Sequence, residues 1–373
     1  MRIFVATGIF HPEAGGPATY LYRLLPELIA RGHAVRVLTF GEEAPGEAYP
    51  YPVTRISQRA PLPIRYARYA RAAAALDAWG EVTFVHSLLL PLVGARPRVV
   101  KVVGDPAWER SVNRGWISPR EDIDEFQGKR YGPQVMALKW LRAARARRAA
   151  QVIVPSQYLA RMARGWGAPA ARVSVIYNAL EPPRDLPDLA TARAQLSLPE
   201  GPALLTAARL TAWKGIDALI EAVNGLEGVR LLVAGDGPQM AALRAMAGER
   251  VTFLGHVPRE RLALAMRAAD YTVLYSGYEG LSHTLLESLQ AGTPVIASDK
   301  GGNPEIVQHG VNGLLVPWGD RMALADTLRR AVGEPGLRAR LAAGCAVGLE
   351  RFSWTRLVEQ TIAVLEAARG SAA

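Results

Sequence analysis

The chain has 373 residues, of which 50% are apolar and 21% charged, which excludes a largely disordered protein and predicts two or three domains. Residues 1–175 hold 25 Lys and Arg against 13 Asp and Glu, while residues 176–373 hold 19 against 21, so the net charge of +10 belongs to the first half. Cys345 is the single cysteine, which excludes an intrachain disulfide and a cysteine-rich zinc site and favours the reducing cytoplasm.

Short apolar runs alternate with longer helical patterns along the chain, which is typical of βαβ units around parallel sheets. The first half predicts strands near 2–7, 34–39, 82–86, 98–103 and 151–154, and helices near 17–31, 65–79, 133–149 and 157–165. The second half predicts strands near 203–207, 229–234, 251–254, 271–274 and 294–297, and helices near 215–224, 238–247, 259–268 and 282–291. The fold class is therefore α/β, with two Rossmann-like, doubly wound domains that we expect to face a cleft.

A proline-rich stretch from Tyr177 to Pro202 interrupts both series and holds only one short predicted helix, near 190–196. We therefore predict a first domain over residues 1–176 and a second over residues 177–353. A last helix near 354–368 is expected to cross back to the first domain.

Two glutamates, Glu279 and Glu287, flank a predicted strand-to-helix junction. Eight residues of helix separate them by roughly 12 Å, which suits the two ends of one elongated ligand. A glycosidase needs its carboxyl pair roughly 5 to 9.5 Å apart. Gly280 permits close backbone approach, and the free amides at the helix start favour an anion such as a diphosphate. Spacing alone leaves open an unrelated pair of surface glutamates.

A second cluster, Arg209 to Gly215, also follows a predicted strand and opens a helix. Arg209 and Lys214 can converge there on one diphosphate, the first as a fork and the second as a point charge. Fixed cations stabilise the charge that develops on a departing phosphate. A surface Arg and Lys at a helix start is the alternative.

The loop after the first strand carries Gly15 and Gly16, whose backbone amides can approach a phosphate across the predicted cleft. This loop is not the dinucleotide fingerprint G-x-G-x-x-G, and no acidic residue ends the second strand as that fingerprint requires. A nicotinamide or flavin oxidoreductase is therefore disfavoured. A flexible loop before a helix is the alternative.

Taken together, these segments resemble glycosyltransferase family four, a family of retaining enzymes with the GT-B fold. The matching segments lie in order at residues 10–16, 175–178, 209–215, 233–238, 253–257, 278–287, 291–297, 301–307 and 312–316. The resemblance implies metal-independent transfer of a sugar from a nucleotide-sugar donor, bound by the second domain, to an acceptor hydroxyl bound by the first. The acceptor is expected to be a sugar, a lipid or a small molecule.

The resemblance also implies roles for single residues. Arg209 and Lys214 would hold the donor diphosphate, Glu279 the sugar hydroxyls, and Glu287 the ribose. The leaving phosphate would take the acceptor's proton, so no protein nucleophile is required. The implied donor-binding set is Gly15, Gly16, Arg209, Lys214, Glu279, Gly280, Leu281, Ser282 and Glu287, and the catalytic candidates are Arg209, Lys214 and Glu279.

One departure from the family concerns a histidine that many members place after the fourth or fifth strand of the first domain. The corresponding stretch here, residues 99–106, has none. Asp105 is one candidate for the acceptor or sugar contact, and His86, which ends the preceding predicted strand, is another. A structural role is the alternative for each.

Asp122 and Asp124 have the spacing of a metal–nucleotide site, yet they lie in a charged run that better fits a helix start or a solvated loop. The remaining histidines are scattered singly. We expect no bound metal, no cofactor besides the nucleotide sugar as co-substrate, and no nucleic-acid partner.

Basic residues interleave with apolar ones between Arg55 and Arg71, and a second basic cluster follows. The first group is Arg59, Arg65, Arg68 and Arg71 among Leu62, Ile64, Tyr66 and Tyr69, and the second is Lys139, Arg142, Arg145, Arg147 and Arg148. Both groups predict peripheral contact with an anionic acceptor or with an anionic membrane at the inner face. An arginine-rich solvated surface is the alternative.

Three other functions fit a similar scaffold. They are a sugar-nucleotide epimerase, a glycoside phosphorylase and a non-catalytic module that binds nucleotide sugars. Four intact residues, Arg209, Lys214, Glu279 and Glu287, disfavour the last of these.

Overall fold

The computed structural model describes residues 1–13, 15–43 and 48–370. The chain divides into two compact units. The first comprises Met1–Ser111, Arg130–Tyr177 and Trp354–Ala373, and the second comprises Val112–Lys129 and Asn178–Ser353. In the described ranges, no helix is both long enough and apolar enough to cross a membrane.

The first 177 residues supply seven strands and six helices within the described ranges. The strands are β1 (Arg2–Thr7), β2 (Ala34–Phe40), β3 (Val53–Ile56), β4 (Val82–His86), β5 (Arg98–Lys101), β6 (Gln151–Val154) and β7 (Val173–Val175). The helices are α1 (Gly16–Ala30), α2 (Leu62–Trp79), α3 (Pro106–Asn113), α4 (Ile123–Gly128), α5 (Pro133–Arg148) and α6 (Gln157–Gly165). The strands form one parallel sheet in the order β3-β2-β1-β4-β5-β6-β7.

The rest of the described chain supplies the strands of a second parallel sheet and the remaining helices. Its strands are β8 (Ala203–Ala207), β9 (Arg230–Ala234), β10 (Val251–Gly255), β11 (Tyr271–Leu274), β12 (Val295–Ser298) and β13 (Gly313–Val316). Its helices are α7 (Leu189–Gln195), α8 (Ile216–Asn224), α9 (Met240–Met246), α10 (Arg259–Ala268), α11 (His283–Gln290), α12 (Arg321–Gly333), α13 (Leu337–Ala343) and α14 (Trp354–Gly370). The sheet order, β10-β9-β8-β11-β12-β13, reverses beside β8 as in a Rossmann fold.

The central strands of both sheets consist of apolar residues on both faces, because helices cover each face of a parallel sheet. Ile3, Phe4 and Phe84 are at most 1% exposed in the first unit, and Leu204 and Val273 are fully buried in the second. The predicted α/β class with two doubly wound domains is confirmed by these sheets. The terminal helix α14 belongs to the first unit, as predicted, where Arg23 of α1 stacks over Trp354 at 4.2 Å.

The predicted domain division assigns segment Val112–Lys129 to the first domain, whereas the structure groups it with the second unit. It packs in the second unit, where Ile123 and Phe126 of α4 are buried. Lys300 of the same unit lies 3.1 Å from a carboxylate oxygen of Asp122 and 3.2 Å from one of Asp124. An insertion between two helices of the first unit therefore forms part of the second unit, and we call it the inserted strap.

Candidate active site of the second unit

Three loops follow neighbouring strands of the second sheet at the edge where ligands bind in open α/β sheets. The loop after β8 carries Arg209 and Lys214, the loop after β11 carries Glu279, and the loop after β12 carries Gly301 and Gly302. Parallel pairing of β8, β11 and β12 brings these loops to one edge. The segments that the sequence singled out separately therefore meet in one place.

Lys214 and Glu279 form a direct ion pair, which the sequence did not reveal. Their side chains are 17% and 13% exposed, so water reaches the pair but does not surround it. Lys214 ends the 3-10 turn Ala212–Lys214, and Gly215 follows with a φ of 62°. A Cβ on Gly215 would lie 2.2 Å from the carbonyl oxygen of Tyr275, so only glycine lets the two loops approach this closely.

The backbone of the Glu279 loop is held by the loop after β12. The amide of Gly302 donates to the carbonyl oxygen of Glu279 at 2.9 Å. A Cβ on Gly301 would lie 2.3 Å from that same oxygen, and one on Gly302 would lie 2.4 Å from the carbonyl oxygen of Gly280. The two glycines therefore allow a backbone-to-backbone contact that fixes Glu279.

Arg209 is exposed, but its loop is rigidly attached to the loop after β9. The amide of Leu210 donates to the carbonyl oxygen of Asp236 at 2.9 Å. A Cβ on Gly235 would lie 2.0 Å from the carbonyl oxygen of Ala208, and one on Gly237 would lie 2.5 Å from that of Leu210. An exposed guanidinium on a fixed backbone is well placed to meet an anion from solvent.

Helix α11 begins at the site and carries its first turn into it. Ser282 is the N-cap, and its hydroxyl accepts from the amide of Leu285 at 3.2 Å. The hydroxyl of Thr284 donates to the carbonyl oxygen of Ala207 at the end of β8, at 3.1 Å. Asn178 donates to the carbonyl oxygen of Leu281 at 3.3 Å. These contacts hold the helix N-terminus, with its partial positive charge, beside the Arg209 loop.

Glu287 lies in the second turn of α11, beside a small, partly open cavity. The cavity is lined by Glu181, Arg184, Leu186, Arg259, Ala263, Met266, Glu287, Gln290 and Ala291. Burial raises the pKa of the Glu287 carboxyl, and Arg259, 3.9 Å away, partly opposes that rise. Arg259 also pairs with Glu181 at 2.8 Å. The two ends of the Glu279–Glu287 segment therefore have different surroundings.

The remaining predicted site residues belong to the first unit. Gly15 and Gly16 precede and begin α1, with Pro17 at its first turn, while Ala14 of the same motif lies outside the described residues. His86 ends β4 and is 7% exposed. Asp105 is fully buried, caps α3 through the amides of Ala107 and Trp108, and pairs with Arg142. Its carboxylate is thus engaged in holding the fold.

Only part of the predicted basic surface is exposed to solvent. Of the second cluster, Lys139 and Arg142 are buried, and Arg145 donates to the carbonyl oxygens of Leu88 and Leu90. Tyr69 of the first group is also buried, because its hydroxyl donates to backbone carbonyls. The interpretation of these residues as surface-exposed is wrong, since helical periodicity alone does not show which face packs inward.

Asp122 is the N-cap of α4, and its carboxylate accepts from the amides of Asp124 and Glu125. The preferred interpretation, a helix start, is confirmed here. Throughout the described ranges, no group of three or more His, Cys, Asp and Glu side chains is arranged to hold a metal ion.

Two family models match most of the chain. The model described as Glycosyltransferase Family 4 matches residues 14–184, and the model described as Glycosyl transferases group 1 matches residues 190–344. The chain belongs to this glycosyltransferase family.

Curated relatives and solved structures agree with that assignment. A D-inositol 3-phosphate glycosyltransferase from Xylanimonas cellulosilytica is 35% identical over 62% of this chain and 58% of its own length. The chain spans about half the length of the curated relatives it matches. Sucrose-phosphate synthase from Thermosynechococcus elongatus superposes with a TM-score of 0.80 at 24% identity over 99% of both chains. Anabaena HepE in complex with UDP-glucose gives a TM-score of 0.76 at 22% identity, over 98% of this chain and all of that one. The fold is GT-B.

Proposed function

We propose that the protein is a retaining, metal-independent glycosyltransferase that moves a sugar from a nucleotide-sugar donor to an acceptor hydroxyl. The observation that carries this proposal is the Lys214–Glu279 ion pair beside the exposed Arg209 and the N-terminus of α11. A cation, a carboxylate that can accept from sugar hydroxyls and the N-terminus of a helix suit the junction between a diphosphate and a hexose.

The diphosphate half of the donor binds to Arg209, Lys214 and the first-turn amides of α11. When the sugar–phosphate bond breaks, negative charge grows on the departing phosphate, and fixed cations stabilise that charge more than the ground state. Anabaena HepE, with the same fold, is known in complex with UDP-glucose, which supports a nucleotide sugar as donor.

The sugar half binds to Glu279, whose position is fixed by the Gly301–Gly302 loop. In the ion pair, Lys214 orients this carboxylate, so it can accept hydrogen bonds from sugar hydroxyls as the donor arrives. Lys214 then turns towards the phosphate. One cation thus first orients Glu279 and then stabilises the leaving group.

The ribose binds to Glu287 beside the cavity lined by Arg259 and Gln290. Its carboxylate accepts from ribose hydroxyls, and Arg259 partly opposes the rise in its pKa that burial causes. Glu287 therefore contributes to donor binding rather than to the bond that breaks.

The acceptor hydroxyl attacks from the face that the phosphate leaves, and that phosphate takes the proton. No protein nucleophile is needed, and the positive charge comes from Arg209 and Lys214 rather than from a divalent ion. The names of curated relatives make inositol phosphates the first acceptors to test.

Peripheral contact with an anionic membrane, at the inner face in the cytoplasm, is a second part of this function. Leu62 and Ile64 at the start of α2 are 53% and 48% exposed, next to the exposed Arg59, Arg68 and Arg71. Apolar side chains among cations bind lipid interfaces, where each cation contributes roughly 1 kcal/mol. Binding to anionic liposomes at low salt, lost in Leu62→Ser/Ile64→Ser but kept in Trp140→Ser, supports this contact. Equal failure to sediment with anionic and neutral liposomes rejects it.

The test of the enzymatic proposal is whether nucleoside diphosphate is released from a panel of nucleotide sugars only when an acceptor is added. A transferase requires the acceptor and retains the anomeric configuration. An epimerase converts the donor alone, a phosphorylase requires inorganic phosphate, and a binding module does neither. Any of the last three outcomes rejects transfer.

A further inference from the structure

Two buried nitrogen-bearing side chains lie side by side where β4 and β5 of the first unit end. His86 is 7% exposed and Lys101 is 3% exposed. His86 pairs in register with Thr7, the last residue of β1 before the glycine-containing loop. The strand that carries Lys101 reaches solvent within two residues, because Val103 is 46% exposed. Both side chains therefore lie just beneath the ligand-binding edge of a parallel sheet.

Neither side chain is satisfied within the described part of the chain. His86 Nε2 and Lys101 Nζ lack any hydrogen-bond partner there. Lys101 Nζ lies 4.0 Å from the centre of the Tyr20 ring, and that ring is 5.2 Å from the His86 ring. The Tyr20 hydroxyl in turn lies 3.5 Å from that of Thr361 on α14. Aromatic contact alone offsets only part of the desolvation of an ammonium group.

The surroundings of Lys101 and His86 lower the pKa of both side chains. Burial lowers the pKa of Lys101 to about 7, and burial together with Lys101 lowers the pKa of His86 well below its usual range. The titratable groups that face Lys101 are Tyr20 from α1 and His86 from β4, while α14 contributes Thr361 through Tyr20. Among the described residues this set holds no carboxylate, whereas the surroundings of the buried Lys139 include Asp105.

We propose that Lys101 and His86 form an anion subsite for the acceptor, taking an oxyanion such as a phosphomonoester or a carboxylate. This inference rests on the proposed function, because it is the acceptor that the first unit would bind. Lys101 donates to one oxygen of the anion and His86 Nε2–H to another, and the anion supplies the missing counter-charge. Tyr20 forms the wall of the subsite.

The experiment follows the lysine side chains by NMR in protein labelled with [13Cε]lysine. Lysines occur only at positions 101, 129, 139, 214 and 300, so the signals can be assigned from single Lys→Met variants. The pH is varied in chloride, inorganic phosphate and acetate at equal ionic strength. We expect phosphate to raise the pKa of Lys101 by about one unit, because an opposite charge stabilises the ammonium form. Lys139 should not change.

Matched variants separate this subsite from the donor site. The effect of phosphate on Lys101 should persist in Arg209→Ala, and phosphate should raise the Tm of Lys139→Met but not that of Lys101→Met. An effect of acetate alone identifies a carboxylate acceptor and also supports the subsite. No change in either salt, or a change that disappears in Arg209→Ala, overturns it. The measurement needs neither donor nor turnover, so it can fail while acceptor-dependent release of nucleoside diphosphate succeeds, and the reverse.

Discussion

Two ion pairs of this protein each join a carboxylate to a cationic side chain but have opposite surroundings. Asp105 and Arg142 of the first unit are 0% and 4% exposed, and the carboxylate also caps α3. Lys214 and Glu279 of the second unit are 17% and 13% exposed, on loops that follow two neighbouring strands. The two groups of the enclosed pair have each other as counter-charge, and the carboxylate also caps α3, so this pair holds the fold. A half-open pair at strand ends is placed to exchange its partners for those of a ligand, and we propose that it does so in the reaction.

The largest effect is expected at the enclosed pair. Arg142→Met should lower the free energy of unfolding by about 3–5 kcal/mol, since it leaves a buried carboxylate without its counter-charge. The double variant Asp105→Asn/Arg142→Met should recover part of this loss. Urea unfolding followed by circular dichroism measures both, and kcat of the folded fraction should stay near normal. A stable Arg142→Met protein with low kcat would reverse the roles of the two pairs.

At the half-open pair we expect the reverse, a large effect on turnover and a small effect on the free energy of unfolding. Arg209→Ala and Lys214→Ala should each lower kcat/KM by about 10²-fold or more, because they remove cations that stabilise the leaving group. The free energy of unfolding should change by no more than about 1 kcal/mol, as for other solvent-accessible pairs. Lys129→Met, which removes an exposed lysine paired with Glu121 and Glu125, is the matched control. Near-normal turnover in either site variant would remove the diphosphate assignment.

Glu279→Gln and Glu287→Gln extend the comparison to the two ends of one segment. The first should lower kcat and weaken discrimination between donor sugars, because Glu279 contacts the reacting half of the donor. The second should mainly raise the Kd of the donor. Steady-state kinetics with two nucleotide sugars, together with calorimetric titration, separate these effects. Loss of stability alone in both variants would make the segment purely structural.

Lys300 lies between the exposed Lys129 and the enclosed Arg142 in exposure, since its side chain is 30% exposed, and it pairs with Asp122 and Asp124 of the inserted strap. Lys300→Met should lower the free energy of unfolding by about 0.5–1 kcal/mol, between the effects at the exposed and enclosed pairs. Thermal unfolding beside Lys129→Met provides the measurement. A loss as large as that of Arg142→Met would show that exposure does not rank these pairs.

The smallest effect should follow chelation. Excess EDTA should leave kcat unchanged, because Arg209 and Lys214 supply the charge that a divalent ion would otherwise bring. Activity that disappears with EDTA and returns with magnesium or manganese would contradict the metal-free mechanism.

Much of the fold could be predicted because parallel strands and their helices leave a strong apolar period in the sequence. Strands β8 and β11 occur at the predicted residues, whereas β3, β7 and β13 were not predicted. Each of these three lies at a sheet edge, and β3 and β7 are only partly buried there, so their apolar pattern is weaker than that of the fully buried β11. The strap was misplaced because its contacts with Lys300 join residues 176 or more positions apart, and no local pattern records them.

The sequence predicts which residues form the candidate site but not which of them pair with one another. Arg209, Lys214 and Glu279 were identified from their positions after strands, since parallel topology brings strand ends together. The ion pair between Lys214 and Glu279 depends on the close approach of Gly215 to Tyr275, a tertiary contact. Asp105 is only a candidate for the acceptor or sugar contact, because the sequence shows its place after β5 but not its pairing with Arg142.

The central claim is that the half-open pair exchanges its partners for the donor. Its most direct test is calorimetric titration of a nucleotide sugar, chosen from the panel by activity, into wild type, Lys214→Ala, Glu279→Gln and the double variant. Because Lys214 and Glu279 bind the same donor in this account, we expect the Kd of Lys214→Ala to be weaker by about 10-fold or more. The loss of donor affinity in the double variant should be smaller than the sum of the two single losses. Donor affinity unchanged in all three variants would show that the pair only holds the loops together, and would contradict the account.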